Sequence, residues 1–252
     1  MKIKKVRDLT LVDLDQDKTM VIACDSCGSI GLKDGDVLKV SPFITGKYAA
    51  RVAILEVVCA GAEVICLTNT ICNEMDPTGK AIIQGIEEEL KEAGISEIVL
   101  TGSTEENFST VMTGLGITAV GLVETKKLKV NNIKGEALLV ALGQPKVGQE
   151  VLNTRQEEHV GYGTIKQLLQ DEKVYEIIPV GSKGILYEMQ ELARNNRLHL
   201  TVYDHIGIDI NKSAGPSTVV IAAVSANYFS KWNIAGTMVL LGKVSLEALA
   251  SQ

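Results

Sequence analysis

Residues 20–31, MVIACDSCGSIG, join a short apolar, partly β-branched run to a polar run rich in glycine. An apolar run that breaks at a carboxylate predicts a buried strand over Met20–Cys24, followed by a loop that begins at Asp25. In α/β sheets, ligands bind beyond the carboxyl ends of the strands. We therefore expect Asp25 to lie at a binding site, where Ser26 and Gly28 are small enough to let a ligand approach the backbone.

Three chemistries are considered for this segment. A carboxylate favours Mg²⁺, which usually bridges to substrate phosphates, although Asp25 that merely caps the loop is an open alternative. Cys24 and Cys27 form C-x-x-C, but there is no second pair and no histidine at ligand spacing, so zinc or thiol redox chemistry is less favoured. The sequence contains no G-x-x-x-x-G-K-[ST], which excludes an ordinary P-loop.

Composition favours two α/β domains. Of the 252 residues 46% are hydrophobic but only 4% are aromatic, so we expect cores of Val, Ile, Leu and Ala in strands and helices. The net charge of −6 is spread along the chain, and nucleic acid is not expected as a partner. No secretory signal or membrane-spanning run is recognised, and dispersed cysteines suit a cytoplasmic protein.

Apolar periodicity predicts strands and helices in both halves, and we place the domain boundary in the Lys- and Asn-rich stretch 124–136. The fold class is thus α/β (α+β), with domains at 1–130 and 131–252. The predicted strands after 20–24 are 64–67, 97–100, 117–123, 137–142, 175–180, 198–203, 217–224 and 237–243. The predicted helices are 47–60, 82–90, 163–169 and 185–195.

Glu56 interrupts the apolar helix predicted at 47–60. A carboxylate removed from water is costly unless it is paired or binds a metal. We consider a cation ligand, and as alternatives an exposed helix face or a pair with Arg51.

A second polar turn, Thr101-Gly102-Ser103-Thr104, follows the strand predicted at 97–100, with Glu105 and Asn107 just beyond. Backbone N–H groups and hydroxyls in such a turn can bind phosphate oxygens. Turns of this composition are common, so the pattern alone is weak.

The order of these motifs resembles the AIR synthetase-like superfamily. That superfamily includes aminoimidazole ribonucleotide synthetase, selenophosphate synthetase, thiamine-monophosphate kinase and hydrogenase-maturation dehydratases. An acidic residue near the N-terminus precedes the strand ending in Asp25, then a buried helix carries Glu56 before Gly61-Ala62, and a later strand ends in Thr-Gly-Ser-Thr. The resemblance covers nearly the whole chain. It implies an ATP-binding N-terminal domain, Mg²⁺ held by carboxylates, a second α/β domain and a homodimer formed through the first domains.

Residue by residue, Asp8 looks like the second Asp of the family's Asp-Asp-Ala segment, Asp25 like the Asp of its Thr-Asp-Gly loop, and Glu56 falls where the family has Asp. The resemblance thus implies Asp8, Asp25 and Glu56 as Mg²⁺ ligands. Gly46 and Lys47 open the same helix as in the family. The implied nucleotide contacts are Ser26, Gly28, Gly46, Lys47, Gly102, Ser103 and Thr104.

Three positions depart from the family pattern. Arg7 replaces the first Asp of the Asp-Asp pair, Ser103 stands where kinase members have Asp, and Lys183 replaces the Asp of a Ser-Asp-Gly-Leu helix start. Lys183 either supplies a cation to a phosphate or faces solvent, the commoner outcome for a lysine.

The form Asp-Ser-Cys-Gly-x-Ile-Gly at 25–31 looks most like the α-ribazole kinase branch. That resemblance implies phosphoryl transfer from ATP to the 5′-hydroxyl of α-ribazole, a nucleoside-like substrate, in salvage of the cobalamin lower ligand. Asp25, Glu105, Asn107 and Lys183 are the catalytic candidates, with Glu105 or Asn107 facing the acceptor. The alternatives are thiamine-phosphate phosphorylation, amide dehydration, or a non-catalytic nucleotide-binding regulator.

Overall fold

The computed structural model describes residues 1–153, 158–234 and 236–246. The chain forms two compact units. The first comprises Met1–Val58 and Ala62–Lys127, and the second comprises Cys59–Gly61 and Leu128–Gln252. Each unit combines a β-sheet with helices, so the predicted α/β class is confirmed.

The first unit is built on a six-stranded sheet with the order β1-β2-β3-β8-β6-β7. Neighbouring strands are antiparallel except β6 and β7, which are parallel. Two short strands, β4 and β5, pair separately. The strands are β1 Lys2–Val6, β2 Leu9–Asp13, β3 Lys18–Gly28, β4 Ile30–Gly31, β5 Leu38–Lys39, β6 Glu63–Ile71, β7 Val99–Thr104 and β8 Gly114–Glu124. The helices are α1 Pro42–Cys59, a π-helical turn Met75–Gly79 and α2 Lys80–Glu92.

One face of this sheet is buried and the other is more open. Along β8, every second residue from Leu115 to Val123 is buried, and the residues between them are only partly buried. The same alternation runs through β3 from Thr19 to Ala23. Because side chains alternate across a strand, the buried residues share one face. Apolar residues of α1, among them Ile54 and Leu55, are fully buried in the same unit.

The second unit is built on a five-stranded antiparallel sheet with the order β10-β12-β9-β13-β11. Its strands are β9 Ala137–Gly143, β10 Val174–Pro179, β11 His199–Val202, β12 Val219–Ser225 and β13 Met238–Ser245. Its helices are α3 Gln149–Asn153, α4 Tyr162–Gln170 and α5 Gly184–Asn196. The core joins apolar residues of α5, such as Ile185 and Leu192, to strand residues such as Leu139 and Ile221.

The structure extends several predicted elements. The prediction that a loop begins at Asp25 is wrong, because Asp25–Gly28 are the last residues of β3 and pair with residues 114–117 of β8. The prediction of a turn at 101–104 is likewise wrong, because these residues lie in β7 and pair with residues 68–71 of β6. In both cases the partner strand continues beyond the apolar run. None of the described helices has the length and apolar character that a membrane crossing requires.

Candidate functional site

Asp25 lies in a row of residues that crosses four neighbouring strands. It pairs in register with Ile117 of β8, which faces Asn69 of β6, which in turn faces Gly102 of β7. Residues paired in this way point to the same face of a sheet. Since Ile117 and Asn69 are buried, the Asp25 carboxylate lies at the end of the buried face, where the strand loses its cover.

The carboxylate of Asp25 is electrostatically unfavourable in this position. Partial burial, chiefly, and the negative charge of Asp8 raise the pKa of Asp25 to about 6, although a hydrogen bond from the Ser26 backbone N–H opposes the shift. Asp8 is exposed and lies in the turn between β1 and β2. Within the described part of the chain neither carboxylate forms an ion pair with a Lys, Arg or His side chain. Two carboxylates that repel each other in this way are a candidate site for a cation.

The Asp8–Asp25 pair fits Mg²⁺ held jointly with phosphates. This ion is usually bound by one or two carboxylates together with substrate phosphates and water. A site made wholly of protein groups does not form: the described residues contain no cluster of three or more His, Cys, Asp or Glu placed to hold a metal. Glu56 is partly buried in the last turn of α1 and does not join Asp8 and Asp25 in such a cluster.

The predicted phosphate contacts divide between the two faces of the sheet. Ser26, Gly116, Thr70 and Ser103 form a second row across the same four strands, on the open face, opposite to that of Asp25. Gly28 follows Ser26 on this open face. Ser26, Thr70 and Ser103 are exposed. The row therefore presents three hydroxyls around a glycine, separate from the carboxylate.

The side chain of Asn69 explains why position 102 is a glycine, and no ligand is needed for that explanation. The Asn69 side chain donates from Nδ2 to the Thr101 carbonyl at 3.2 Å. A Cβ at Gly102 would lie 2.3 Å from Asn69 Oδ1. Thr104 is also engaged within the protein, since its hydroxyl donates to Glu106 Oε1 at 2.8 Å.

Gly46 and Lys47 lie at the crossing of α1 and α2. A Cβ at Gly46 would lie 2.1 Å from the Ile82 carbonyl oxygen of α2, so glycine permits the close approach of the helices. Lys47 Nζ is 2.5 Å from Glu92 Oε1. The geometry gives both residues a role in helix packing, and the nucleotide contact implied for them stays a prediction.

Glu105 organises the turn that contains Asn107. The Glu105 Oε1 atom accepts hydrogen bonds from the backbone N–H groups of Asn107, at 2.7 Å, and Phe108, at 3.1 Å. Asn107 is exposed, and Phe108 retains 78% of its accessible surface. The Glu105 carboxylate thus holds a turn that presents an aromatic ring to solvent.

Lys183 belongs to the second unit, directly before α5. Its Nζ lies 3.1 Å from the Tyr187 hydroxyl and 4.1 Å from the centroid of the Tyr187 ring. A lysine over a tyrosine face is a cation–π contact. The catalytic role considered for Lys183 stays a prediction.

The thiol redox alternative is excluded by geometry. Cys24 and Cys27 are three residues apart in β3, so their side chains point to opposite faces and their Cα atoms are roughly 10 Å apart, beyond the reach of a disulfide. In addition, burial, Asp25 and Asp36 raise the pKa of Cys27 to about 11.

A buried polar brace, missed by the sequence reasoning, supports the end of β3. It consists of Asp36, Asn73 and Thr113. Asp36 accepts hydrogen bonds from the Thr113 N–H and hydroxyl, each at 2.7 Å, and from the Lys33 N–H at 2.8 Å. Asn73 Nδ2 donates to the Met112 carbonyl at 2.9 Å, and its Oδ1 accepts from the Gly114 N–H at 3.0 Å.

The brace fixes the loops around the strand ends. Burial alone would raise the pKa of Asp36, but the hydrogen bonds from Thr113 and Lys33 and the charge of Lys39 outweigh it and lower that pKa. Asn73 follows β6 and Thr113 precedes β8. The brace therefore joins the loops next to β6 and β8, two of the strands that contribute residues to the Asp25 row.

Together, the fold and this geometry define a two-unit α/β protein with a carboxylate pair at the end of a sheet. Residues 7–123 match the family model described as AIR synthase related protein, N-terminal domain. That segment is therefore an AIR synthase related N-terminal domain, and for residues 7–123 the predicted resemblance to the AIR synthetase-like superfamily is confirmed. A comparison with curated protein sequences gives no significant match.

Solved structures of low sequence identity share the fold. AaThiL, solved with AMPPCP and TMP, is 15% identical with a TM-score of 0.66, over 95% of this chain and 84% of that one. HypE from E. coli, a hydrogenase maturation protein, is 15% identical with a TM-score of 0.64, over 89% and 80%. PurL from T. maritima, solved with AMPPCP, is 15% identical with a TM-score of 0.67. That match covers 94% of this chain but only 42% of PurL.

Proposed function

We propose that the protein binds ATP with Mg²⁺ at the Asp8–Asp25 pair and transfers a phosphoryl group to a small nucleoside-like alcohol, α-ribazole. The observation that carries the proposal is the pair itself: two carboxylates that repel each other, one with a pKa raised to about 6, neither of which forms an ion pair with a Lys, Arg or His among the described residues. The AIR synthase related match, and the nucleotide analogues bound to AaThiL and PurL, support nucleotide binding at this fold.

In this proposal, the carboxylates of Asp8 and Asp25 orient the triphosphate. Bound Mg²⁺ would neutralise negative charge on the transferring phosphoryl group. The Ser26 backbone N–H, which already donates to the Asp25 carboxylate, holds that carboxylate in place. The catalytic role proposed for Asp25 is therefore that of a metal ligand, because a carboxylate bound to Mg²⁺ is no longer free to accept the proton of the acceptor hydroxyl.

The acceptor site is proposed at the turn held by Glu105. That turn carries the exposed ring of Phe108, a surface suited to stacking on a planar aromatic base. Residues 105–108 follow β7 directly, so the turn continues the strand that contains Gly102 in the Asp25 row. An acceptor with both an aromatic base and a ribose hydroxyl, as in α-ribazole, fits this combination.

The resemblance to the superfamily also leads us to propose a cytoplasmic homodimer. The open face of the first sheet supports this proposal, since partly exposed Met20, Ile22 and Leu122 lie on it. Light scattering behind a sizing column should give about twice the monomer mass. A monomeric mass at all protein concentrations would contradict the dimer and leave the proposed reaction untouched.

Measurement of ADP release tests the reaction. With ATP and Mg²⁺, addition of α-ribazole should produce ADP and the 5′-phosphate in equal amounts, as quantified by mass spectrometry. Thiamine phosphate and unrelated nucleosides serve as acceptor controls. Release with another acceptor but none with α-ribazole would reject the substrate, and ATP binding without turnover on any acceptor would favour a nucleotide-binding regulator.

A further inference from the structure

Arg7 occupies the turn between β1 and β2, directly before Asp8. The turn is closed by the pairing of Val6 with Leu9, and Arg7 has a φ of 53°. Left-handed backbone of this kind favours glycine or asparagine. The backbone of the turn therefore does not explain why an arginine stands here, and the explanation lies with its side chain.

The guanidinium of Arg7 contains enclosed donors without an acceptor. Its Nε and Nη1 atoms are both buried, and no described residue accepts a hydrogen bond from either. Arginine is permanently charged and has no neutral form to adopt. Buried polar groups in native proteins almost always have partners. Arg7 as a residue is only partly buried, so these two donors are orphaned within the described chain and an anionic oxygen of a ligand would satisfy them.

The neighbours of Arg7 indicate what kind of anion this is. Asp8 is the next residue and interacts electrostatically with Asp25, yet neither carboxylate accepts from the enclosed Arg7 donors. The turn therefore combines two carboxylates suited to a metal ion with a separate cation that has unused N–H groups. This set matches the two components of a metal-bound polyphosphate, in which the oxygens that do not bind the metal need hydrogen-bond donors.

We infer that Arg7 binds a non-bridging phosphate oxygen of the nucleotide while Asp8 and Asp25 bind its metal ion. The inference rests on the proposed nucleotide site and adds a phosphate-binding residue to it. Arg7 would fix the direction of the phosphate chain relative to the Asp8–Asp25 pair. A guanidinium suits this task because its planar donors can engage two oxygens at once.

Arg7→Met tests this inference, since methionine retains the apolar stem and removes the donors. Titration calorimetry with inorganic tripolyphosphate and Mg²⁺ should show affinity about 10- to 100-fold below wild type, the loss expected for hydrogen bonds to a charged group. The same loss should appear with ATP, and adenosine should bind both proteins equally. The melting temperature of the ligand-free variant should be unchanged or higher, because two buried donors without acceptors have been removed.

Arg197→Met is the matched control. Arg197 also has left-handed backbone, with a φ of 57°, but it is exposed at the end of α5 in the second unit. It should bind tripolyphosphate as wild type does. Arg7→Lys retains the charge without the planar fork, so its affinity should lie between those of wild type and Arg7→Met. It also provides the comparison if Arg7→Met does not fold.

The outcomes separate this inference from the proposed function. Wild-type affinity for tripolyphosphate in Arg7→Met, or equal losses for tripolyphosphate and adenosine, would overturn the role of Arg7 while sparing ATP binding. Failure of the wild type to bind ATP would reject the proposed function. In that case, tripolyphosphate binding that is lost in Arg7→Met would still support Arg7 as a polyphosphate ligand.

Discussion

Asp25 and Asp36 are two carboxylates of one unit in opposite circumstances. Asp36 is buried and accepts three hydrogen bonds, and these, with the charge of Lys39, lower its pKa. Asp25 is partly buried beside another acid, and its pKa is raised to about 6. A carboxylate that the fold satisfies stabilises the fold, whereas one that it leaves uncompensated is available for a ligand. We therefore assign Asp36 to structure and Asp25 to function.

The largest effect on stability is expected at Asp36. Asp36→Asn places an amide NH₂ where donors from Thr113 and Lys33 converge, so we expect a loss of about 2 to 3 kcal/mol. Urea unfolding at pH 7.5 measures it, with the exposed Asp34→Asn as control. Unchanged stability would show that the brace does not hold these loops, and the assignment of Asp36 to structure would be wrong.

The stability effect at Asp25 is smaller and of opposite sign. The folded pKa, about 6, exceeds the value of 3.8 for an unperturbed Asp, so the ionised group destabilises the fold above pH 6. This penalty disappears as the pH falls from above 6 to about 4. Asp25→Asn should stabilise the ligand-free protein at pH 7.5 by about 1 to 2 kcal/mol, allowing for partial exposure.

The pH dependence provides the control for this second prediction. At pH 3, below the pKa of the carboxyl in both the folded and the unfolded chain, Asp25→Asn and wild type should unfold at nearly the same urea concentration. A variant that is less stable than wild type at pH 7.5 would mean that Asp25 contributes to structure as Asp36 does. The proposed difference between Asp25, a functional carboxylate, and Asp36, a structural one, would then be contradicted.

Local patterns were enough to predict most of the fold. The apolar run at 20–24 and the helical periodicity at 82–90 correspond to β3 and α2. The strand β1 was missed because its sequence, KIKKV, is mostly exposed and lacks an alternating apolar pattern. The extent of β3 beyond Cys24 was missed because it depends on β8, which lies far away in sequence.

The site was predictable only where a single segment carries the signal. Asp25 was identified because a carboxylate ends an apolar strand. Asp36 was not identified, since its partner Thr113 is 77 residues away and nothing near Asp36 marks it. The sequence marks Arg7 only as a departure from the family pattern, because the enclosure of its donors arises from tertiary structure.

Binding of ATP to wild type and Asp25→Asn, with and without Mg²⁺, tests the central claim most directly. Calorimetry should show Mg²⁺-dependent binding to wild type and to Asp34→Asn. Loss of a metal ligand should weaken the affinity of Asp25→Asn more than about tenfold in Mg²⁺, and EDTA should abolish most of the difference between the proteins. Equal Mg²⁺-dependent affinities for wild type and Asp25→Asn would contradict the assignment of the Asp8–Asp25 pair as the metal and nucleotide site.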